Sequence, residues 1–193
     1  MINIFSKSFQ QSEHIRTKMS TNPIYEQMVD QVVHILIECL KSGQKIRFCG
    51  NGGSAADAQH IAAELSGRFY IDRPPLDTEA LHVNPSYVTA VANDYSFDSI
   101  YERMVVAQGK VGDVLVGIST SGNSKNVLLA MKKAKEIGMK TVALTGEGGG
   151  KMAQYADYLI DVPSKDTPRI QEVHILIGHI ICEMVEKELF GQP

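Results

Sequence analysis

Two short turns in the 193-residue sequence concentrate glycine and hydroxyl residues in the way a phosphate site does. The first is Cys49-Gly50-Asn51-Gly52-Gly53-Ser54 and the second is Ser119-Thr120-Ser121-Gly122-Asn123-Ser124. Glycine lets the backbone approach a ligand closely, and hydroxyls donate hydrogen bonds. A helix starting at such a turn adds free N–H groups and the positive end of its dipole. Ser54 and Ser124 also suit plain helix N-caps, and a single turn of this kind would be read that way. Two in one small domain, the second with four hydroxyl residues in six positions, favour a phosphate held without lysine. Neither is a G-x-G-x-x-G or Walker loop, so no nucleotide cofactor is indicated. Gly146-Glu147-Gly148-Gly149-Gly150 lacks hydroxyls and reads as a flexible loop.

A second set of residues has the chemistry of an acid, a base or a metal ligand. His60 and Glu64 stand at i and i+4 on the helix that follows the first turn, hence on one face. Such a pair can chelate a divalent metal or transfer protons, although at this spacing alone an ordinary surface pair is the better reading. The last helical stretch opens Arg169-Ile170-Gln171-Glu172-Val173-His174 and continues to His179. At about 100° per residue, Gln171 and Glu172 both fall on the broad side of the helix that carries His179. Spacing does not choose between them, and a histidine among Ile177, Ile180 and Ile181 also suits a plain core position.

The elements that must position these residues are legible from rhythm. Short apolar runs at Lys45–Cys49, Thr78–Val83, Val114–Ile118, Thr141–Leu144 and Tyr158–Val162 have strand length. Between them lie helical segments at Ser54–Leu65, Ser86–Val91 continuing toward Ala107, Ser124–Ile137 and Met152–Ala156, with a last one from about Arg169 to Leu189. Asn22-Pro23 begins an earlier helix with Asn as cap and Pro at its first position, and Gly43 ends it. Alternation of strand and helix predicts an α/β fold, a parallel sheet between helical layers, with ligands at the carboxyl ends of the strands. The expected organisation is a leader over residues 1–22, in which apolar residues are scattered, and one domain over 23–193.

Bulk composition limits the partners. A net charge of −3 and a pI near 6.1 give no electrostatic footprint for nucleic acid or an anionic membrane. No window approaches the ~20 apolar residues of a membrane span. Cys39, Cys49 and Cys182 are odd in number and without C-x-x-C spacing, which reads as reduced thiols of a cytoplasmic protein.

Taken in order, Gly50-Asn51-Gly52-Gly53-Ser54-Ala55-Ala56-Asp57-Ala58-Gln59-His60, Glu64-Leu65-Ser66-Gly67-Arg68, Ala92-Asn93-Asp94, Ser119 to Ser124, and Arg169-Ile170-Gln171-Glu172 with His179 form five separated motifs. From about Lys45 to the C-terminus the sequence resembles the sedoheptulose 7-phosphate isomerases of the SIS (sugar isomerase) superfamily. The resemblance implies a three-layer αβα sandwich on a five-stranded parallel sheet with an N-terminal helical extension. It also implies a homotetramer that converts sedoheptulose 7-phosphate to D-glycero-D-manno-heptose 7-phosphate. Ser119, Thr120, Ser121 and Ser124 would hold the phosphate. Asn51, Gly52, Gly53, Ser54, Glu64, Asn93, Asp94 and Gln171 would line the sugar. Glu64 and His179 would be base and acid, and His60, Glu64, Gln171 and His179 would bind one zinc ion. The family pattern thus favours Gln171 over Glu172.

The implied chemistry suits these groups. Moving a carbonyl from C2 to C1 requires a proton removed at C1 and one delivered at C2, through a cis-enediol. A carboxylate in a partly dry pocket and an imidazole both serve near neutral pH. Zinc accepts nitrogen and oxygen ligands, although a carboxylate bound to it is a weaker base. Rival readings within the superfamily are a non-catalytic adaptor that binds a replication initiator, a sugar-phosphate-sensing regulator, and an isomerase of a five- or six-carbon sugar phosphate. The adaptor branch alters the glycine turn and the positions matching Glu64 and His179, all intact here. The regulator needs a DNA-binding module, where the N-terminus offers only an amphipathic helix and a ragged leader; the arabinose 5-phosphate isomerases usually add a regulatory domain, for which this length leaves no room.

Overall fold

The computed structural model describes residues 3–191. Its centre is a five-stranded sheet: β1 (Ile46–Gly50), β2 (Thr78–Ala80), β3 (Val114–Ser119), β4 (Lys140–Thr145) and β5 (Tyr158–Asp161). All pairings are parallel and the strand order is β2-β1-β3-β4-β5. Each strand falls on one of the five expected apolar runs. Side chains alternate between the faces of a strand, so each strand feeds two cores. Ile46 and Phe48 of β1, Val116 and Ile118 of β3, and Val142 and Leu144 of β4 join one cluster, while Cys49, Leu115 and Ala143 join the other.

The first core lies under α1 (Ile4–Ser20), α2 (Pro23–Lys41), α3 (Gly53–Ser66) and α7 (Thr167–Phe190). The second lies under α4 (Pro85–Asp94), α5 (Ile100–Gln108) and α6 (Lys125–Ile137). The result is the expected αβα sandwich. The scattered apolar residues of the N-terminal segment resolve into α1, capped by Asn3, which buries Ile15 and Met19 against the domain. Residues 1 and 2 of that segment lie outside the described residues. No helix among the described residues is long and apolar enough to cross a membrane.

Two helical expectations change in detail. The segment expected to run from Ser86 toward Ala107 is broken after Asp94, where Tyr95 leaves helical geometry and Ser96 is fully extended. A short 3-10 helix at Phe97–Ser99 then leads into α5. The start of α4 repeats the Asn-Pro signal of α2, with the Asn84 side chain accepting from the Tyr87 N–H at 3.1 Å. The helix expected at Met152–Ala156 is a 3-10 helix at Gly150–Tyr155.

The chain adds β2 on one side of β1 and then crosses back to place β3 on the other. The topological switch therefore lies between the carboxyl ends of β1 and β3, where open parallel sheets bind ligands. The loops leaving those two ends are the two glycine-and-hydroxyl turns.

Candidate active site

The second turn is built as a hydroxyl cluster. Ser119, at the end of β3, is 3% exposed, and its Oγ lies 2.8 Å from that of Ser124 and 3.5 Å from that of Ser121. Ser124 occupies the N-cap position of α6 but makes no capping bond, because its hydroxyl turns toward Ser119. The plain N-cap reading fails at the first turn too. There Gly52 is the N-cap, in a left-handed conformation with φ +57°, and Ser54 lies inside α3, buried. Neither helix takes a capping bond from its N-cap residue, and each turn meets a positive dipole end; in α6 the Val127 N–H donates to Asn126 Oδ1.

Asn126, on the first turn of α6 and 2% exposed, ties the two turns together. It exchanges two 2.8 Å hydrogen bonds with Asn51, each amide donating to the other's carbonyl oxygen. The Tyr101 hydroxyl donates to the carbonyl of Gly50. Beside this turn a cavity of about 250 Å³ is lined by Asn51, Gly52, His82, Thr89 and Tyr101.

The glycine stretch read as a flexible loop is a packed buttress. A Cβ at Gly146 would lie 2.5 Å from the Thr120 carbonyl oxygen, and one at Gly122 would lie 2.2 Å from that of Gly149. The N–H of Gly146 donates to Thr120 O, that of Met152 to Gly122 O and that of Lys151 to Asn123 Oδ1. Only bare backbone fits between the two segments at these points, and this close contact, not flexibility, accounts for Gly122, Gly146 and Gly150.

Three of the acid, base and metal candidates, His60, Glu64 and His179, meet between α3 and α7. His60 and Glu64 make a 3.1 Å contact, and the His179 ring stands edge-on to that of His60 at 5.1 Å between centroids. Ligand atoms of His60, Glu64 and His179 all lie within 4.8 Å of one another. Gln171 packs on the start of α3, where a Cβ at Gly53 would lie 2.5 Å from its Nε2. Glu172 turns away, exposed and 2.6 Å from Arg169 Nη2. Two imidazoles and a carboxylate are donors that zinc accepts, so the chemistry of this donor set fits the metal. Asn93 and Asp94 are exposed at the end of α4 and hydrogen-bond to each other at 2.8 Å, with no bond to either turn.

Four further residues shape the site and carry no role in the sequence reading: Asn126, Asp57, Arg73 and Glu186. Asp57 sits one turn before His60, its Oδ2 buried without a partner, and burial pushes its carboxyl up to about 6, opposed by His60. Arg73 and Glu186 form a buried ion pair, Nε to Oε2 at 2.9 Å, at the far end of α3. An acidic residue on the buried stripe of α7 was the available signal for Glu186.

Known proteins resemble this chain in sequence and in fold. Residues 9–146 match the SIS domain family. The phosphoheptose isomerase of Clostridium acetobutylicum is 51% identical over 192 residues, covering 100% of this chain and 98% of that protein. The structure of phosphoheptose isomerase from Neisseria gonorrhoeae superposes with a TM-score of 0.88 at 43% identity, covering 94% of this chain and 96% of that one. A phosphoheptose isomerase from Francisella tularensis gives a TM-score of 0.91 at 34% identity, covering 96% and 98%. This chain belongs to the SIS-domain phosphoheptose isomerases.

Proposed function

We propose that this chain converts D-sedoheptulose 7-phosphate to D-glycero-D-manno-heptose 7-phosphate through a cis-enediol, the first step toward activated heptose for lipopolysaccharide core or capsule. The observation that carries the mechanism is the meeting of His60, Glu64 and His179 from two helices that the sequence separates widely. Glu64 takes a proton from C1, and the electrons of that C–H bond form the C1–C2 double bond as the C2 oxygen gains a proton. O1 then gives up its proton, balancing the one gained by O2, as the enediol collapses to the C1 carbonyl and C2 takes a proton from His179. Ser119, Thr120, Ser121 and Ser124 hold the phosphate, with the α6 dipole supplying the positive charge that lysine does not. Asn51, Gly52, Gly53, Ser54 and Gln171 line the sugar, supported by their place at the switch point. Asn93 and Asp94 are assigned to the sugar on the family pattern.

His60, Glu64, Gln171 and His179 would hold a zinc ion, which when bound supplies Lewis-acid polarisation of the substrate oxygens. The functional unit is a homotetramer. This is supported by Phe5, Phe9, Leu176 and Ile180, which α1 and α7 leave exposed for a second copy to cover. The deciding experiment is turnover of sedoheptulose 7-phosphate by Glu64→Gln and His179→Gln. General acid–base groups contribute about 10²–10⁴-fold each, so kcat should fall by that order in folded protein. Near wild-type turnover by Glu64→Gln would overturn the assignment of the base.

A further inference from the structure

The far end of α3, beyond Glu64, is held by an ion pair that makes no hydrogen bond to the side chains of His60, Glu64 or His179. Glu186, 2% exposed on α7, accepts four hydrogen bonds. Its Oε1 takes the N–H groups of Tyr70 at 2.7 Å and Ile71 at 3.1 Å, and its Oε2 takes Phe69 N–H at 3.0 Å and Arg73 Nε at 2.9 Å. Three successive backbone N–H groups thus wrap one carboxylate, a nest closed by a guanidinium. Burial pushes this carboxyl up, but the four donors outweigh burial and hold it below the ordinary glutamate range. The same guanidinium donates Nη2 to the Glu64 carbonyl at 2.9 Å and Nη1 to those of Leu65 at 2.8 Å and Gly67 at 3.2 Å. Those are last-turn carbonyls that a helix end otherwise leaves unpaired. The loop so fixed also places the Phe69 ring 5.9 Å from that of His179.

One ion pair therefore grips the backbone of Glu64 and the loop against His179 at once, from α7, which carries His179. We infer that Arg73 and Glu186 are positioning residues for proton transfer, fixing Glu64 relative to His179. The inference rests on the assignment of Glu64 and His179 as the acid–base pair. A surplus of buried, charge-assisted bonds at this place is more than closing a loop demands. Only the planar five-donor fork of arginine reaches the α3 carbonyls and Glu186 together, and lysine cannot copy it. The phosphate turn leaves β3, on another part of the sheet, so the clamp holds none of the four residues assigned to the phosphate.

The test measures kcat and KM, per folded molecule, for Arg73→Lys and Glu186→Gln. Ile160→Ala, a core truncation in β5, serves as a control for general destabilisation. A misplacement near 1 Å costs about 10²-fold. Both clamp variants should therefore lose on the order of 10²-fold in kcat with KM within about threefold, while folded Ile160→Ala keeps its kcat. The inference is overturned if kcat per folded molecule is unchanged in Arg73→Lys and Glu186→Gln, if KM rises instead, or if the control loses as much. Glu64→Gln, assayed in parallel, separates the two failures. Normal turnover there sinks the acid–base assignment, whereas its collapse beside an unaffected Arg73→Lys sinks only the clamp.

Discussion

Replacing Gly178 by alanine tests how closely α3 and α7 must approach for the site to form. An added Cβ would lie 2.5 Å from Ile61 Cδ1 and 2.6 Å from its Cγ1. Carbon atoms in contact prefer ~3.5–4.0 Å, so a gap of about 1 Å must open. Ile61 is 2% exposed and sits in the core shared by α2, α3, α7 and the sheet, so it has little room to yield. Overpacking of this kind costs about 1–3 kcal/mol. Because His179 is the next residue, the same displacement would carry its ring away from His60. The partner change, Ile61→Ala, removes both clashing atoms but leaves a cavity worth about 2–5 kcal/mol by itself. In the double variant the new methyl occupies part of that space. The two losses should then fall short of additivity by about 1–3 kcal/mol. Urea unfolding read from the midpoint, with unchanged slope, measures each corner of the cycle. Additivity within about 0.5 kcal/mol would show that the helices tolerate the methyl and that their close contact is not required.

Two other outcomes are expected. Removing the hydroxyls of Ser119, Ser121 and Ser124 together should weaken substrate and inorganic phosphate alike, since each lost bond to a charged group is worth about 1.5–3 kcal/mol. Unchanged inhibition by inorganic phosphate in that triple variant would remove the turn from the site. The second concerns His174, fully buried with Nε2 3.0 Å from the Thr145 carbonyl oxygen and Nδ1 unpartnered, whose pKa burial pushes down to about 4. Its folded pKa lies below the ordinary 6.5, so the unfolded chain binds the extra proton first. Stability is then lost as pH falls from about 6.5 to 4, by about 3 kcal/mol in all. Asp57, raised to about 6, works in the opposite sense over the same range, so the comparison must be wild type against His174→Gln, which shares Asp57. The variant should lose less stability than wild type between pH 7 and pH 4.5, and equal losses would refute the assignment.

How much of this was legible in the sequence depends on the distance over which each feature is decided. The strands and the turn at Ser119–Ser124 are written in local rhythm and local composition, and both stand where they were expected. The strand order is not local, because a period of two says which residues share a face but not which strand lies alongside. Only the crossing from β2 to β3 put the two turns side by side, and only then did Asn126 acquire Asn51 as a partner 75 residues away. Gly146 to Gly150 was misread for a related reason. A glycine whose Cβ would strike backbone from a distant loop looks, in sequence, like one that merely permits motion.

Gln171 and Glu172 differ by one position and stayed undecided by angle; the contact of Gln171 with Gly53 and of Glu172 with Arg169 separates them. Glu186 marks the boundary most clearly. It follows Cys182 and Val185 on a stripe that is apolar apart from His174, and a charge there is costly unless paired. The sequence therefore demanded a partner for it without naming one. The partner is Arg73, 113 residues earlier, in an Ile-Asp-Arg-Pro-Pro loop with no regular period to read. Where a charge interrupts a buried stripe, the physical question is what it holds in place. Here that is the backbone of the residue assigned as the base.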